Sequence, residues 1–310
     1  MPPQETLNPQ LQSWLTQINR LIADQQAGGV QATPTAVREG LATMTAALTT
    51  PSPELPWVAD SEVGAVPVRL YDPAPQREKT VCLFFHGGGH MAGSIEVYDP
   101  ICRKLAAASG QLVVSVEYRL APEHPYPQGL TDCLEVTRHI WPALERQQRR
   151  VRRRLFLVGD SGGGACVASI SAQAQQDPQL NIDGQVLIYP SLDYTLNQPS
   201  VTENGRGYLL ERSRIEWYFD HYFQQGEDRR AASPLYMPVT SGLPPTLMIT
   251  AGFCPLRDEG IAYLEKLRAA GVPCEHQHFP GMIHAYLNLE NLVPDACADT
   301  YRAIAEFMAA

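Results

Sequence analysis

The sequence predicts an α/β fold, in which a mostly parallel central sheet carries helices on both faces. From about residue 56, short apolar segments alternate with amphipathic ones, and this alternation is typical of a parallel sheet. Two of the apolar segments run directly into glycine-rich turns, at 87–89 and 159–163. Ligands bind outside the carboxyl ends of parallel strands, so these turns indicate where the site lies.

The elements follow one another along the chain. Apolar runs predict strands at 65–71, 81–85, 112–117, 154–158, 185–189, 245–250 and 274–279. Helical spacing predicts helices at 100–109, 128–147, 162–176, 257–270 and 295–308. We expect the first of these helices to begin at Asp99-Pro100, since aspartate is a good N-cap and proline suits the first helical position.

Two regions lie outside this alternation. Residues 9–24 and 35–48 have apolar side chains at helical spacing without a preceding strand, so they must cover another surface. Residues 195–243 interrupt the alternation, with two helices expected there, the clearer at 211–224. The expected organisation is therefore helices at 1–50, a first core part at 51–194, an insertion at 195–243 and a second core part at 244–310.

Ser161 lies in the sequence GDSGG at 159–163, directly after the apolar run at 155–158. A strand that runs into G-x-S-x-G is typical of a nucleophile elbow, a tight turn that leaves the serine hydroxyl above the sheet. The small apolar residues at 165–170 fit a helix packed closely under that strand. We therefore interpret Ser161 as a nucleophile.

A second glycine motif, HGGG at 86–89, also follows an apolar strand. Backbone N–H groups stabilise a tetrahedral oxyanion well because they need no side-chain rearrangement. We assign the N–H groups of Gly88, Gly89 and Gly162 to an oxyanion hole, with His86 bracing the loop. A dinucleotide site is the competing interpretation, with Glu117 as the ribose-binding acid, but it requires a helix that opens on the glycines.

His284 is the predicted general base. It lies late in the chain, in GMIH at 281–284, after the serine. The order serine first and histidine last is the order of the α/β-hydrolase catalytic triad.

Six motifs give the chain a resemblance to the bacterial hormone-sensitive-lipase family of α/β-hydrolases. They stand in the family's order: HGGG (86–89), YRLAPEHP (118–125), GDSGG (159–163), IYPSLD (188–193), PLRDEG (255–260) and GMIH (281–284). The resemblance implies a serine carboxylesterase with a helical cap formed by 1–50 and 195–243. It implies no metal and no organic cofactor. Tyr208, Leu209, Trp217 and Phe219 are candidate walls of the substrate pocket.

The chain departs from the family at one position. The family pattern is Asp-Pro-Leu-x-Asp, whose first aspartate orients the histidine, whereas this chain has Cys254-Pro255-Leu256-Arg257-Asp258. A neutral thiol is a weak acceptor, and a thiolate needs an electropositive site. Three explanations stay open: Asp258 substitutes as the acid, Cys254 acts as a neutral or ionised partner, or the position has been altered. Asp258 also fits an ordinary helix-start residue.

Composition agrees with an enzyme of this kind. The 310 residues are 44% hydrophobic, enough for a large core, and the net charge of −9 disfavours nucleic acid or an anionic membrane as partner. Seven scattered cysteines fit a reducing cytoplasm, and no apolar run is long enough to span a membrane.

The predicted function is hydrolysis of short-chain acyl esters through an acyl-enzyme intermediate. The expected partner is a small-molecule ester, and the resemblance suggests a homodimer through the last strand. One alternative is a catalytically weakened or non-catalytic ligand-binding relative, because Cys254 replaces the acid. An amidase or lyase on the same scaffold is a further alternative.

Overall fold

Eight strands form one sheet in the computed structural model, which describes residues 5–29 and 31–310. The strands are β1 (Trp57–Val63), β2 (Val66–Asp72), β3 (Lys79–Phe85), β4 (Leu112–Val116), β5 (Val151–Asp160), β6 (Gly184–Ile188), β7 (Thr246–Phe253) and β8 (Cys274–Ile283). Their order is β1-β2-β4-β3-β5-β6-β7-β8, antiparallel from β1 to β4 and parallel from β4 to β8.

Ten α-helices accompany the sheet within the same described ranges. They are α1 (Pro9–Ala27), α2 (Pro34–Leu48), α3 (Ile95–Ser109), α4 (Gln128–Arg146), α5 (Gly162–Ala174), α6 (Pro199–Glu203), α7 (Arg212–Tyr222), α8 (Arg229–Ala232), α9 (Arg257–Ala269) and α10 (Pro294–Ala309). Short 3₁₀ turns occur at Pro234–Tyr236 and Tyr286–Leu289.

The helices bury both faces of the sheet. Apolar side chains of α3 and α10, such as Leu105 and Ile304, share one core cluster with alternate residues of the strands. Side chains of α4, α5 and α9, such as Ile140, Val167 and Leu264, pack in the cluster on the opposite face. Because both faces are covered, the central strands are apolar throughout, and the predicted fold class is confirmed.

The first strand of the sheet was not predicted. β1 is an edge strand that pairs only with β2, and Val63 is the one fully buried residue among its seven. A strand with so little buried surface gives a weak apolar signal.

The predicted start of α3 at Asp99-Pro100 is wrong. The helix begins at Ile95, because the Ser94 hydroxyl accepts a hydrogen bond from the Val97 N–H and caps the helix five residues earlier than predicted. Asp99 instead accepts a hydrogen bond from Arg103, at 2.6 Å. Glu117, which the dinucleotide interpretation required, accepts a hydrogen bond from the Ile95 N–H at 2.6 Å.

Helices α1 and α2 lie over the carboxyl end of the sheet. α2 is anchored by Arg38, whose guanidinium donates to the carbonyls of Met91 and Ala121 at 2.9 Å each and pairs with Glu123. Leu11 and Leu15 of α1 are buried in the core cluster to which α3 and α10 contribute. Both helices thus have fixed positions beside the loop that follows β3.

Candidate active site

Ser161 occupies a strained turn between β5 and α5. Its backbone has φ 53° and ψ −119°, a conformation that a non-glycine residue adopts only when the surroundings enforce it. The turn also needs glycine two residues on, since a Cβ at Gly163 would lie 1.9 Å from the carbonyl oxygen of Phe85. The predicted elbow is therefore present, and it presents the serine hydroxyl above the strand ends.

The imidazole of His284 faces this hydroxyl. Ser161 Oγ lies 2.9 Å from His284 Nε2, and both side chains are buried. His284 follows directly after β8, so the two residues come from strands three positions apart in the sheet. This distance is within the hydrogen-bond reach that a general base needs.

Cys254 contacts the other nitrogen of the same imidazole. Its Sγ lies 3.1 Å from His284 Nδ1, and the Leu256 N–H donates to Sγ at 3.3 Å. The residue follows β7 and is fully buried. The cysteine thus takes the place and the contact that a triad carboxylate would have.

The electrostatics of this pair are those of two neutral groups. Burial raises the pKa of the Cys254 thiol above its ordinary value, and burial lowers the pKa of His284 to about 3. A neutral thiol can either accept from Nδ1–H or donate to Nδ1. Only the first arrangement, in which Nδ1–H donates to sulfur, leaves a lone pair on Nε2 for the serine proton.

The structure does not bring Asp258, the candidate substitute acid, to His284. Its carboxylate accepts from the Ser200 N–H at 2.9 Å and from Arg257 Nε at 2.7 Å. The residue lies in the first turn of α9, where a carboxylate interacts favourably with the helix dipole. The helix-start interpretation of Asp258 fits these contacts.

Gly88, Gly89 and Gly162 line the cavity beside Ser161. Within residues 5–29 and 31–310, the Gly88 and Gly89 N–H groups donate no bond to another backbone group. Gly162 is the first residue of α5, so its N–H has no partner inside the helix. Gly88 must be glycine, because its φ is 119° and a Cβ would lie 2.1 Å from the Ala92 carbonyl oxygen.

Asp160 was not among the predicted site residues, although it occupies the second position of the elbow motif. Its carboxylate accepts hydrogen bonds from the Gly87 N–H at 2.6 Å and from the Tyr98 hydroxyl at 3.1 Å. Burial raises the pKa of Asp160 to about 7, against the effect of these hydrogen bonds. The carboxyl group thus ties the HGGG loop to the elbow. Such a contact between distant segments leaves no signal in a single sequence.

His86 braces the same loop from the other side. Its Nδ1 lies 2.8 Å from the Gly87 carbonyl oxygen, and its ring stacks on Tyr118 with centroids 4.4 Å apart. Burial lowers the pKa of His86 to about 4. The side chain is fully buried, and its contacts fit the prediction that His86 braces the HGGG loop.

Replacement of Asp160 by alanine should lower kcat about tenfold, since a displaced loop amide weakens an oxyanion hole. The change also leaves the buried Gly87 N–H without its acceptor, at a cost of about 1–3 kcal/mol of unfolding free energy. Asparagine keeps an acceptor at this position, so D160N should retain more activity and stability than D160A. Steady-state kinetics and thermal unfolding of both variants check this, and equal losses in the two would contradict it.

A cavity of about 510 Å³ opens above Ser161. Its walls are mostly apolar side chains of the three surrounding helices: Trp14, Ile18 and Ile22 of α1; Val37, Leu41 and Met44 of α2; Ile215, Tyr218 and Phe219 of α7. Of the predicted wall residues, Leu209 and Phe219 line the cavity. Tyr208 packs on Phe253 instead, and Trp217 packs on His221.

The described residues contain neither a cluster that could hold a metal ion nor a helix that could span a membrane. Among residues 5–29 and 31–310, no group of three or more His, Cys, Asp or Glu side chains is arranged to hold a metal ion. No helix in the described ranges is long and apolar enough to cross a membrane. The seven cysteines are all free, and six of them are buried.

A serine at a strained strand–helix turn, beside an imidazole and free amide groups, is typical of hydrolases that act through an acyl-enzyme. Comparison with known proteins agrees with this class. A family model described as the alpha/beta hydrolase fold matches residues 82–288. The chain belongs to the alpha/beta hydrolase family, and the resemblance carried by its motifs is confirmed.

The names of similar proteins indicate the class of reaction, ester hydrolysis. The chain is 36% identical over 252 residues to Esterase LipI of Mycobacterium tuberculosis, covering 79% of this chain and 78% of that protein. It is 36% identical over 239 residues to an ethyl acetate hydrolase of Pseudomonas putida, covering 74% of each. The protein is a carboxylic ester hydrolase, and the alternative of a non-catalytic binding protein finds no support among these relatives.

Solved structures extend the similarity over the whole fold. An alpha/beta hydrolase enzyme from the metagenome of Lake Arreo, Spain, is 30% identical and superposes with a TM-score of 0.86, covering 98% of both chains. An esterase of Pyrobaculum calidifontis is 29% identical with a TM-score of 0.85, covering 97% of this chain and 98% of that one.

Proposed function

We propose that the protein hydrolyses small esters with short acyl chains through a covalent acyl-enzyme on Ser161. The observation that carries this proposal is the 2.9 Å contact between Ser161 Oγ and His284 Nε2, beside free amide groups in an apolar cavity. The ethyl acetate hydrolase among the relatives supports a short acyl group.

The proposed reaction has two halves. His284 Nε2 takes the hydroxyl proton as Ser161 Oγ attacks the ester carbonyl, and the oxyanion accepts hydrogen bonds from Gly88, Gly89 and Gly162. The imidazolium then gives its proton to the departing alcohol, which leaves an acylated serine. Water, deprotonated by the same imidazole, attacks the acyl group. The bond from the acyl carbon to Ser161 Oγ then breaks, the imidazolium returns the proton to Oγ, and the acid is released.

Cys254 is the proposed partner of the imidazole during both halves. In the productive arrangement His284 Nδ1–H donates to Cys254 Sγ, which fixes the ring orientation. The neutral sulfur offers little stabilisation to the imidazolium that forms as the serine attacks, because a thiol is a weak acceptor and carries no charge. We therefore expect the chemical step to be slower than with a carboxylate at this position.

We propose that 1–50 and 195–243 form a cap over two core parts, 51–194 and 244–310. The support is that α1, α2 and α7 supply most of the apolar cavity wall, whereas β3, β5, β7 and β8 lead into the reacting groups. Residues 1–4 and residue 30 of the proposed cap lie outside the described residues. A roof of this kind encloses the bound ester beside Ser161 and limits substrate size.

We further propose a homodimer through β8 and a cytoplasmic location. Support for the first is that β8 is the last strand in the sheet order, and a strand at the edge of a sheet can pair with a second copy. Support for the second is the set of free, buried cysteines, which suits a reducing compartment.

Active-site titration tests the proposed mechanism. A 4-nitrophenyl alkylphosphonate should inactivate the protein while releasing one equivalent of 4-nitrophenol per chain, because the serine attacks phosphorus as it attacks an ester carbonyl. Mass spectrometry should place the phosphonyl group on the peptide that contains Ser161. Hydrolysis of 4-nitrophenyl acetate without stoichiometric labelling, or labelling at another residue, would refute the acyl-enzyme on Ser161.

A further inference from the structure

One cation faces the substrate cavity without a partner. Arg214 is the only Arg or Lys among the described residues that lines the cavity. Within the same ranges its guanidinium makes no salt bridge or hydrogen bond to protein, whereas Arg212, on the same helix, pairs with Glu216 at 2.8 Å. The Arg214 guanidinium lies 5.3 Å from the ring centre of Trp217, its neighbour on α7.

Helix stability does not explain this arginine. Arg214 is the third residue of α7, where the helix dipole disfavours a positive charge. Arg212 is also disfavoured by the helix dipole, but its i,i+4 ion pair with Glu216 offsets that unfavourable interaction. Arg214 is partly exposed, has no acidic partner in the described part of the chain and makes only the cation–π contact with the Trp217 ring. Its charged nitrogens are therefore open to an anionic group of a ligand.

A second polar group lies on the same side of the helix. Tyr218 is one turn after Arg214, and its ring lies so close to the oxyanion loop that a Cβ on Gly89 would be 2.7 Å from Tyr218 Cδ2. Burial raises the pKa of the Tyr218 hydroxyl, and the charge of Arg214 opposes that shift, so the two groups are within electrostatic range. In the described part of the chain this hydroxyl makes no hydrogen bond.

The cavity offers no competing negative charge to Arg214. Asp160 is the only Asp or Glu that lines it within the described residues, and its oxygens already accept from Gly87 and Tyr98. The remaining walls are mostly apolar. The cavity therefore combines an apolar volume with one cation and one free hydroxyl near the reacting centre.

From this arrangement we propose that Arg214, with the Tyr218 hydroxyl, binds a carboxylate on the substrate, so that the preferred esters are short, amphipathic and anionic. The inference rests on the proposed function, since it names the substrate class of that same site. Arg214 is a specificity-determining residue in this proposal. It contacts the substrate at a distance from the ester bond and takes no part in the chemistry.

Matched pairs of esters test the proposal. The acyl-side pair is mono-4-nitrophenyl adipate and 4-nitrophenyl hexanoate, which differ by a carboxylate in place of a terminal methyl group. The alcohol-side pair is 4-acetoxybenzoate and its methyl ester. The measured quantity is the ratio of kcat/KM for the charged ester to kcat/KM for the neutral one. In R214Q this ratio should fall about tenfold for at least one pair, the effect of one charged hydrogen bond.

Two further variants separate charge from structure. R214K keeps the charge and should retain part of the preference, whereas R212Q removes a charge from the same helix outside the cavity and should give the wild-type ratio. Added salt should lower the ratio in the wild-type protein, because salt screens the attraction between Arg214 and the substrate carboxylate. The ratio in R214Q should stay nearly constant, because this variant lacks the charge at position 214. An unchanged ratio in R214Q for both pairs, or an equal fall in R212Q, would overturn the proposal.

Failure of the proposed function would look different. If the wild-type protein hydrolysed none of the four esters, or if S161A hydrolysed them at the wild-type rate, the acyl-enzyme mechanism would be wrong. A neutral ester that is hydrolysed through Ser161, with no effect of R214Q on either ratio, would refute the anionic substrate class alone.

Discussion

Replacement of Cys254 by aspartate should raise kcat/KM for 4-nitrophenyl acetate about 100-fold, since the loss of a charged triad acid costs serine hydrolases up to about 10⁴-fold. The position is already prepared for a carboxylate. Cys254 Sγ lies 3.1 Å from His284 Nδ1, and the Leu256 N–H points at the same atom from 3.3 Å. A carboxylate there would accept both hydrogen bonds and fix the productive tautomer.

The gain should come with a change in pH dependence. The base must be neutral to accept the serine proton, and burial lowers the pKa of His284 to about 3 in the native protein. Protonation of His284 should therefore cause no loss of kcat/KM as the pH falls from 7 to about 4. In C254D the carboxylate stabilises the imidazolium and raises the pKa of His284, so the activity should decline at a higher pH.

The matched control is asparagine. C254N has nearly the same shape as C254D but no charge, and its amide can donate to Nδ1 and favour the unproductive tautomer, so it should show no gain. C254D and the native protein would have equal activity, and kcat/KM would decline at the same acidic pH in both, if the residue at 254 did not act on His284.

The sequence predicted the fold and the two residues of the serine–histidine contact because their signals are local. A strand followed by GDSGG defines Ser161, and a histidine late in the chain is the expected partner. β1 escaped prediction because its edge position leaves little apolar pattern. The start of α3 was misplaced because Ser94 and Asp99 are both good N-caps, and sequence alone does not tell which one the chain uses.

The rest of the site depends on contacts between distant segments. Asp160 holds Gly87 across 73 residues, and Cys254 meets His284 across 30. Asp258 was an open candidate for the acid because a residue four positions after Cys254 can reach back over one helical turn. The bonds to Ser200 and Arg257 hold its carboxylate elsewhere, and Ser200 comes from an insertion whose position no local pattern indicates.

Replacement of Ser161 by alanine should abolish hydrolysis of 4-nitrophenyl acetate, with kcat/KM at least about 100-fold below the native value. The nucleophile is lost, and the remaining amide groups and cavity bind the ester without attacking it. The strained backbone at position 161 tolerates alanine no worse than serine, because both carry one Cβ. Circular dichroism and thermal unfolding should therefore match the native protein.

A double variant that carries both S161A and C254D tests the mechanism more sharply than either single variant. Groups that act as one catalytic unit are strongly non-additive, because each works only through the others. The gain from C254D should appear when Ser161 is present and vanish in the S161A background, where His284 has no proton to accept. Four proteins measured in one assay supply this comparison. If C254D accelerated hydrolysis equally in both backgrounds, then His284 would be activating water directly, and the acyl-enzyme on Ser161 would not lie on the path.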